Sequence, residues 1–260
     1  RVVRIQKRAQ YSTSSATRRN VLVQGGGKGI GLAFSKHYLQ ENNENKVIIT
    51  CRDPTTNNDL SDLRNKYGER VALHPLDIKS ETSIKNLSEE VKKTVDNLDV
   101  LLNVTGIVHP SGRGETSLQQ VTEKASAEVY AINCLGPLLV TRYFEPLLTA
   151  TKDVSHIINI SAKSGSIALN IGGWYAQRMA KAGMNMWTKS VAVELKRKNV
   201  ICVALDPGLV KTQLSEPYHR SWKGVVSPEV TVENMIKVID GLDISKTGKF
   251  MDSFGKDIPY

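Results

Sequence analysis

Two stretches hold residue types whose spacing could do chemistry. The first is GGGKGIG, Gly25 to Gly31, and the second is WYAQRMAKAG, Trp174 to Gly183. The glycine stretch follows an apolar run, NVLVQ at 20–24, and opens a helical pattern from Gly29 to about Leu39. A glycine loop between a strand and a helix can cradle a phosphate. Gly25 allows the tight turn. Gly29 and Gly31 let an anion approach the helix N-terminus, where free N–H groups and the helix dipole favour negative charge. Gly27, Lys28 and Ile30 complete the candidate loop. The alternative is a glycine-rich turn that holds no ligand. At the end of the next apolar run stands Arg52, where an NAD-selective site would carry an acid for the ribose hydroxyls. Lys28 and Arg52 offer two cations to a 2′-phosphate, so NADP(H) is expected over NAD if a dinucleotide binds. A solvated loop charge is the plainer reading of Arg52.

The elements that must position these residues alternate along the chain. Apolar runs at 20–24, 46–51, 71–77, 98–104, 156–161 and 199–207 read as strands, with helical stretches at 123–148 and 175–196. Strands separated by helices of ten or more residues imply βαβ units and a parallel sheet. ENNENK and TTNND read as surface loops. No internal repeat or linker divides 20–260, which is expected to be one α/β domain.

The net charge of +9 is concentrated at the start. Residues 1–20 hold Arg1, Arg4, Lys7, Arg8, Arg18 and Arg19 and no acid, leaving +3 for the other 240 residues. Arg1, Arg4 and Arg8 share one helical face, and Val2, Ile5 and Ala9 share another. Residues 1–19 therefore read as a basic extension with the composition of a mitochondrial transit peptide, which implies the matrix. The alternative is a basic tail without a targeting role. An acidic protein surface or RNA phosphate would hold such a tail. Cys51, Cys134 and Cys202 are far apart and read as reduced core residues. His109, His156 and His219 show no metal or triad spacing, so no metal is expected. No apolar run has the length of a membrane span.

These residues resemble the short-chain dehydrogenase/reductase family, and most of all its small C-factor-like carbonyl reductases. GGGKGIG is similar to the family's TGxxxGIG loop. Asp77 and Ile78 in HPLDIKS resemble the pair that meets adenine. LLNVTG, with Asn103 and Gly106, is similar to its NNAG stretch. NCLGP resembles the segment carrying its catalytic asparagine, here Asn133. DPGLVKT, with Pro207, Gly208, Val210 and Thr212, looks like the loop that closes over the nicotinamide. The closing GKFMDSFGKDIPY resembles the family's C-terminal strand and tail. The resemblance implies a Rossmann-type doubly wound sheet of about seven mostly parallel strands, often in a dimer or tetramer. It also implies carbonyl reduction by hydride transfer, with a tyrosine as acid, a lysine that lowers the tyrosine's pKa and binds the ribose, and a serine that positions the carbonyl.

Lys181 fits the lysine, but the tyrosine position, one turn earlier on the same helix face, is Gln177. An amide does not titrate in the useful range and is no general acid. Tyr175 precedes Lys181 by six residues, roughly 240° around the helix, and points elsewhere. Reading ISAKSGSI against the family's ISSxxGSI puts Ala162, without a hydroxyl, at the serine. Counting back thirteen residues from Gln177 reaches Ser164 as the fallback. Two readings follow. One is a catalytically impaired mitochondrial protein that serves as a structural subunit of a larger assembly, a ribonucleoprotein or respiratory complex, and retains NADP(H) binding. The other is an active NADPH-dependent carbonyl reductase whose proton donor is Ser164 or bound water. A third, a free nucleic-acid or regulatory protein, rests on the tail charge alone. Residues 217–222, PYHRSW, lie where the family carries its substrate lid, and could equally form a docking surface.

Overall fold

A computed structural model describes residues 18–219 and 223–260. Seven strands form one sheet: β1 (Asn20–Gln24), β2 (Lys46–Cys51), β3 (Val71–Pro75), β4 (Val100–Asn103), β5 (Ser155–Ile160), β6 (Val200–Asp206) and β7 (Phe250–Asp252). Their order is β3-β2-β1-β4-β5-β6-β7, and every pair of neighbours is parallel. A parallel sheet is covered on both faces, so its strands are apolar throughout rather than alternating. β1 and β6 are buried at every position.

Among the described residues, seven α-helices cover the sheet: α1 (Gly29–Glu41), α2 (Asn58–Tyr67), α3 (Glu81–Lys92), α4 (Glu123–Tyr130), α5 (Gly136–Leu148), α6 (Tyr175–Leu195) and α7 (Pro228–Asp240). Side chains alternate between the two faces with the strand period of two. Leu22, Ile48, Leu101 and Ile157 pack with Leu87 of α3, Phe144 of α5 and Met184 of α6. Val21, Val23, Val47 and Leu102 pack with Phe34 of α1, Leu60 of α2 and Met235 of α7. This is the doubly wound α/β architecture expected from the strand–helix alternation.

The structure corrects three local readings. The stretch 123–148 is two α-helices joined by a π-helical turn, Ala131–Leu135, and the turn carries Asn133. TTNND is not simply a loop, because Asn57 caps α2, its side chain accepting from Leu60 N at 3.2 Å. Asn45 of ENNENK is fully buried, donating to Tyr38 O at 2.9 Å and accepting from Arg19 N at 2.8 Å. Asparagine reads as a loop residue by composition, yet at both positions its amide satisfies backbone groups that would otherwise lack partners.

Candidate functional site

The site lies at the C-terminal edge of the sheet, where β1 is flanked by β2 on one side and β4 on the other. Chain direction diverges there and leaves a crevice. Gly25 leaves β1 with φ +88°, a conformation costly for any residue with a Cβ. A Cβ on Gly31 would collide with the Gly25 carbonyl, so the helix start closes onto the loop only as glycine. No acid occupies the first turn of α1, and no side chain caps it. Its leading N–H groups are therefore left for an anion. Asn57 braces the loop from α2, donating to Gly27 O at 2.8 Å.

A cleft of about 860 Å3 runs from this loop along the strand ends. Gly25, Gly27, Lys28, Gly29, Ile30, Arg52, Asp77, Ile78, Gly106 and Thr212 all line it. The residues present thus fit a dinucleotide in volume and in glycine-lined close approach, with the cations Lys28 and Arg52 and the acid Asp53 all on the lining.

Other expected cofactor residues sit elsewhere. Asn103 is buried beneath the sheet edge, donating to Asn159 Oδ1 at 2.8 Å and Thr141 Oγ1 at 3.2 Å. Its side chain is committed to a core network and is unavailable to a ligand, because strand alternation turns position 103 away from the cleft. Gly31 shapes the turn without lining the cleft. Pro207, Gly208 and Val210 do not line it either. Val210 is buried and bridges to Val226, and this stretch carries Thr212 to the rim.

Sequence reasoning missed several members of the site. Gln24 stands where the family usually has threonine, and its amide pairs with Thr105, donating to Oγ1 at 2.5 Å and accepting from Thr105 N at 3.2 Å. Lys28 Nζ crosses the cleft mouth to Gln213 Oε1 at 2.6 Å. Glu115 is 3% exposed, and its Oε1 accepts from Ala176 N at 3.2 Å, capping α6 from a distant loop. The signal for such partners is long-range pairing, which one sequence does not display.

Beyond the cleft, α6 presents Gln177 and Lys181 on one face. Lys181 is buried, and its Nζ donates to Ile160 O at 2.6 Å. Burial lowers its pKa to about 8, against opposing pulls from Cys134 and Asp206. A Cβ on Gly106 would lie 3.8 Å from that Nζ, which puts the ammonium behind the cleft wall. Asn133 is fully buried and doubly bonded to Ile107, accepting from its N at 2.8 Å and donating to its O at 2.7 Å. The π turn is what lets the asparagine face the β4 loop.

The structure brings Ser164, rather than Ala162, to Gln177. Ser164 Oγ donates to Gln177 Oε1 at 2.7 Å. Ala162 opens the short helical turn Lys163–Gly165, and that turn lies so close to α6 that a Cβ on Gly165 would meet Lys181 Cβ at 2.8 Å. Ser164, the fallback, thus supplies the hydroxyl beside Gln177, where the thirteen-residue count puts it. Tyr175 is the first residue of α6 and 38% exposed, away from this corner. The Trp174 and Tyr218 rings pack at a tilt with centroids 4.9 Å apart, and Tyr218 Oη accepts from Gly114 N at 2.8 Å, so the described part of the 217–222 segment docks on the β4 loop. Residues 220–222 lie outside the described residues. Among those described, no group of His, Cys, Asp or Glu could hold a metal, and no helix is long and apolar enough to cross a membrane.

Residues 19–222 match the short chain dehydrogenase family model, and the chain belongs to that family. An uncharacterized oxidoreductase of Schizosaccharomyces pombe is 28% identical over 259 residues, covering 95% of this chain and all of that one. The C-signal protein of Myxococcus xanthus is 35% identical over 166 residues, 63% of this chain and 93% of that one. Among solved structures, the NADPH-bound carbonyl reductase from chicken fatty liver superposes with a TM-score of 0.85 at 31% identity, covering 94% and 99% of the two chains.

Proposed function

We propose that this chain is a catalytically impaired short chain dehydrogenase that retains NADP(H) binding and serves as a structural subunit of a larger mitochondrial assembly. The observation that carries the reading is the hydrogen-bonded pair of Ser164 and Gln177, one turn before Lys181. Serine, lysine and asparagine stand around a position where the family's acid is replaced by an amide. Removing a general acid costs typically 10²–10⁴-fold in rate. Bound NADPH would supply hydride, but the corner has no titratable proton donor at position 177 for a developing alkoxide.

Retained dinucleotide binding is supported by the glycine loop, the uncapped start of α1, and Lys28 and Arg52 at the cleft. The NADPH held by the chicken enzyme agrees with this. A role in an assembly is supported by Met179, Met186 and Val193, spaced seven residues apart on α6 and 52%, 69% and 72% exposed. Tyr130 and Leu135 beside them are 42% and 41% exposed. Apolar surface of this extent marks protein contact, with either other subunits or a second copy. The mitochondrial matrix and RNA contact rest on the composition of residues 1–19, of which 1–17 lie outside the described residues.

Size fractionation of a gently prepared organelle lysate, with and without ribonuclease, tests this reading. Migration in a large particle is the expected result, and a ribonuclease-induced shift would identify a ribonucleoprotein. A dimer- or tetramer-sized peak with NADPH turnover would instead favour an active carbonyl reductase.

A further inference from the structure

A cavity of about 300 Å3 opens at the far edge of the sheet, between the end of α7 and the turn that follows β7. Three strands separate β7 from β1, and the cavity shares no lining residue with the dinucleotide cleft. Its size lies at the small end of sites for organic ligands. Asn234, Lys237 and Val238 reach it from one face of α7, as their spacing of three and four residues requires. Leu242 and Met251 extend the apolar wall that Val238 begins.

Ser253 carries the observation that points to a ligand. It lines the cavity and is only 7% exposed. Among the described residues its hydroxyl has no hydrogen-bond partner, and it is not one of the polar atoms sealed from solvent. The cavity is the space on which it opens. A hydroxyl so buried and unpaired costs free energy until an acceptor reaches it. Phe254, the next residue, is 76% exposed and lines the same cavity, so an aromatic ring stands in water at its edge.

Lys237 and Lys246 line the cavity from exposed positions, and among the described residues neither ammonium is in an ion pair. The carboxylates nearby in sequence do not line it. Asp240 pairs with Arg19 at 3.2 Å, Asp243 accepts from Ser245 N at 2.7 Å, and Asp252 accepts from Phe254 N at 3.0 Å. Lys246 stays within electrostatic reach of Asp243 without contact. The carbonyls of Val238 and Ile239 accept from Gly241 N and Leu242 N, so the end of α7 presents little bare negative charge. An apolar wall, one buried donor and two cations together match a ligand that is apolar along its body and anionic at one end.

We propose that this cavity binds a small carboxylate with an apolar body, at a second site apart from the dinucleotide cleft. Val238, Leu242, Met251 and Phe254 cover the body. Ser253 Oγ donates to the carboxylate, and Lys237 and Lys246 balance its charge. The site stands whether or not position 177 supports turnover.

The test is a nuclear magnetic resonance titration with octanoate, followed at isotope-labelled methionine methyl groups, with octanol as the neutral comparator. Met251 reports on the cavity. Met184, whose sulfur lies 3.9 Å from Lys181 Nζ, reports on the opposite site. Octanoate is expected to shift Met251 saturably and at least about tenfold more tightly than octanol, with NADP+ present or absent. Lys237→Glu combined with Lys246→Glu is expected to remove that preference, and Ser253→Ala to weaken octanoate about threefold. Both lysines are exposed, so an unmoved Met184 resonance in the double variant shows that the fold is intact. A Met251 resonance that does not respond, or a response confined to Met184, overturns the proposal. So does equal affinity for the two probes, or a preference that survives the double charge reversal.

Discussion

Gln177 holds the chemistry of this chain in one side chain. Its Oε1 accepts from Ser164 Oγ, at the position where the resemblance to the family implies a tyrosine. What changes is the ability to release a proton. Lys181 is affected as well, because a buried ammonium is held below its unfolded pKa. Its pKa of about 8 against 10.5 unfolded means the folded protein loses that proton first as pH rises. The burden of the buried charge is full below pH 8 and is relieved between about 8 and 10.5. Lys181→Met is therefore expected to stabilise the apo protein by on the order of 3 kcal/mol at pH 7, with the gain shrinking toward pH 10. Urea unfolding across that range measures it. His156 works at the acid end. Burial, followed by the nearby Arg19, lowers its pKa to about 4, so the unfolded chain takes up that proton first as pH falls. Stability present above about 6.5 should decline toward pH 4, and His156→Gln should flatten that part of the urea-midpoint profile.

At the scale of elements, the site depends on loops being tied to helix ends. Asn57 links the start of α2 to the glycine loop with its two amide atoms. Asn57→Ala should cost about 1 kcal/mol of stability through the lost cap. It should also weaken NADPH binding, which Asn57→Asp, able to cap but not to donate, would separate from the stability loss in a fluorescence titration. The glycine loop, the strand–helix alternation and the lysine helix were legible in the sequence, because each rests on a short contiguous pattern. Glu115, Gln213 and the Gln24–Thr105 pair were not, because each acts across a long sequence separation. Asn103 misled for a different reason: motif position placed it at the cleft, and strand alternation turned its side chain into the core. Ser164 was reachable by counting back along the loop, while aligning it by letters favoured Ala162.

At the scale of the whole molecule, two surfaces matter, the cleft and the apolar stripe on α6. NADPH should raise the melting temperature with concentration by mass action, and more than NADH at equal concentration if Lys28 and Arg52 meet a 2′-phosphate. Met186→Glu lies on the exposed stripe, so it should leave the melting temperature within about a degree, and it should release the chain from the proposed assembly. A size-fractionation experiment on tagged protein checks this. The central claim, that the family's architecture persists without its proton donor, is tested most directly by single-turnover NADPH oxidation with an activated aldehyde, comparing the wild-type protein with Gln177→Tyr at equal NADPH occupancy. A gain of two to four orders of magnitude in the variant is expected. Wild-type turnover already equal to that of Gln177→Tyr would contradict it.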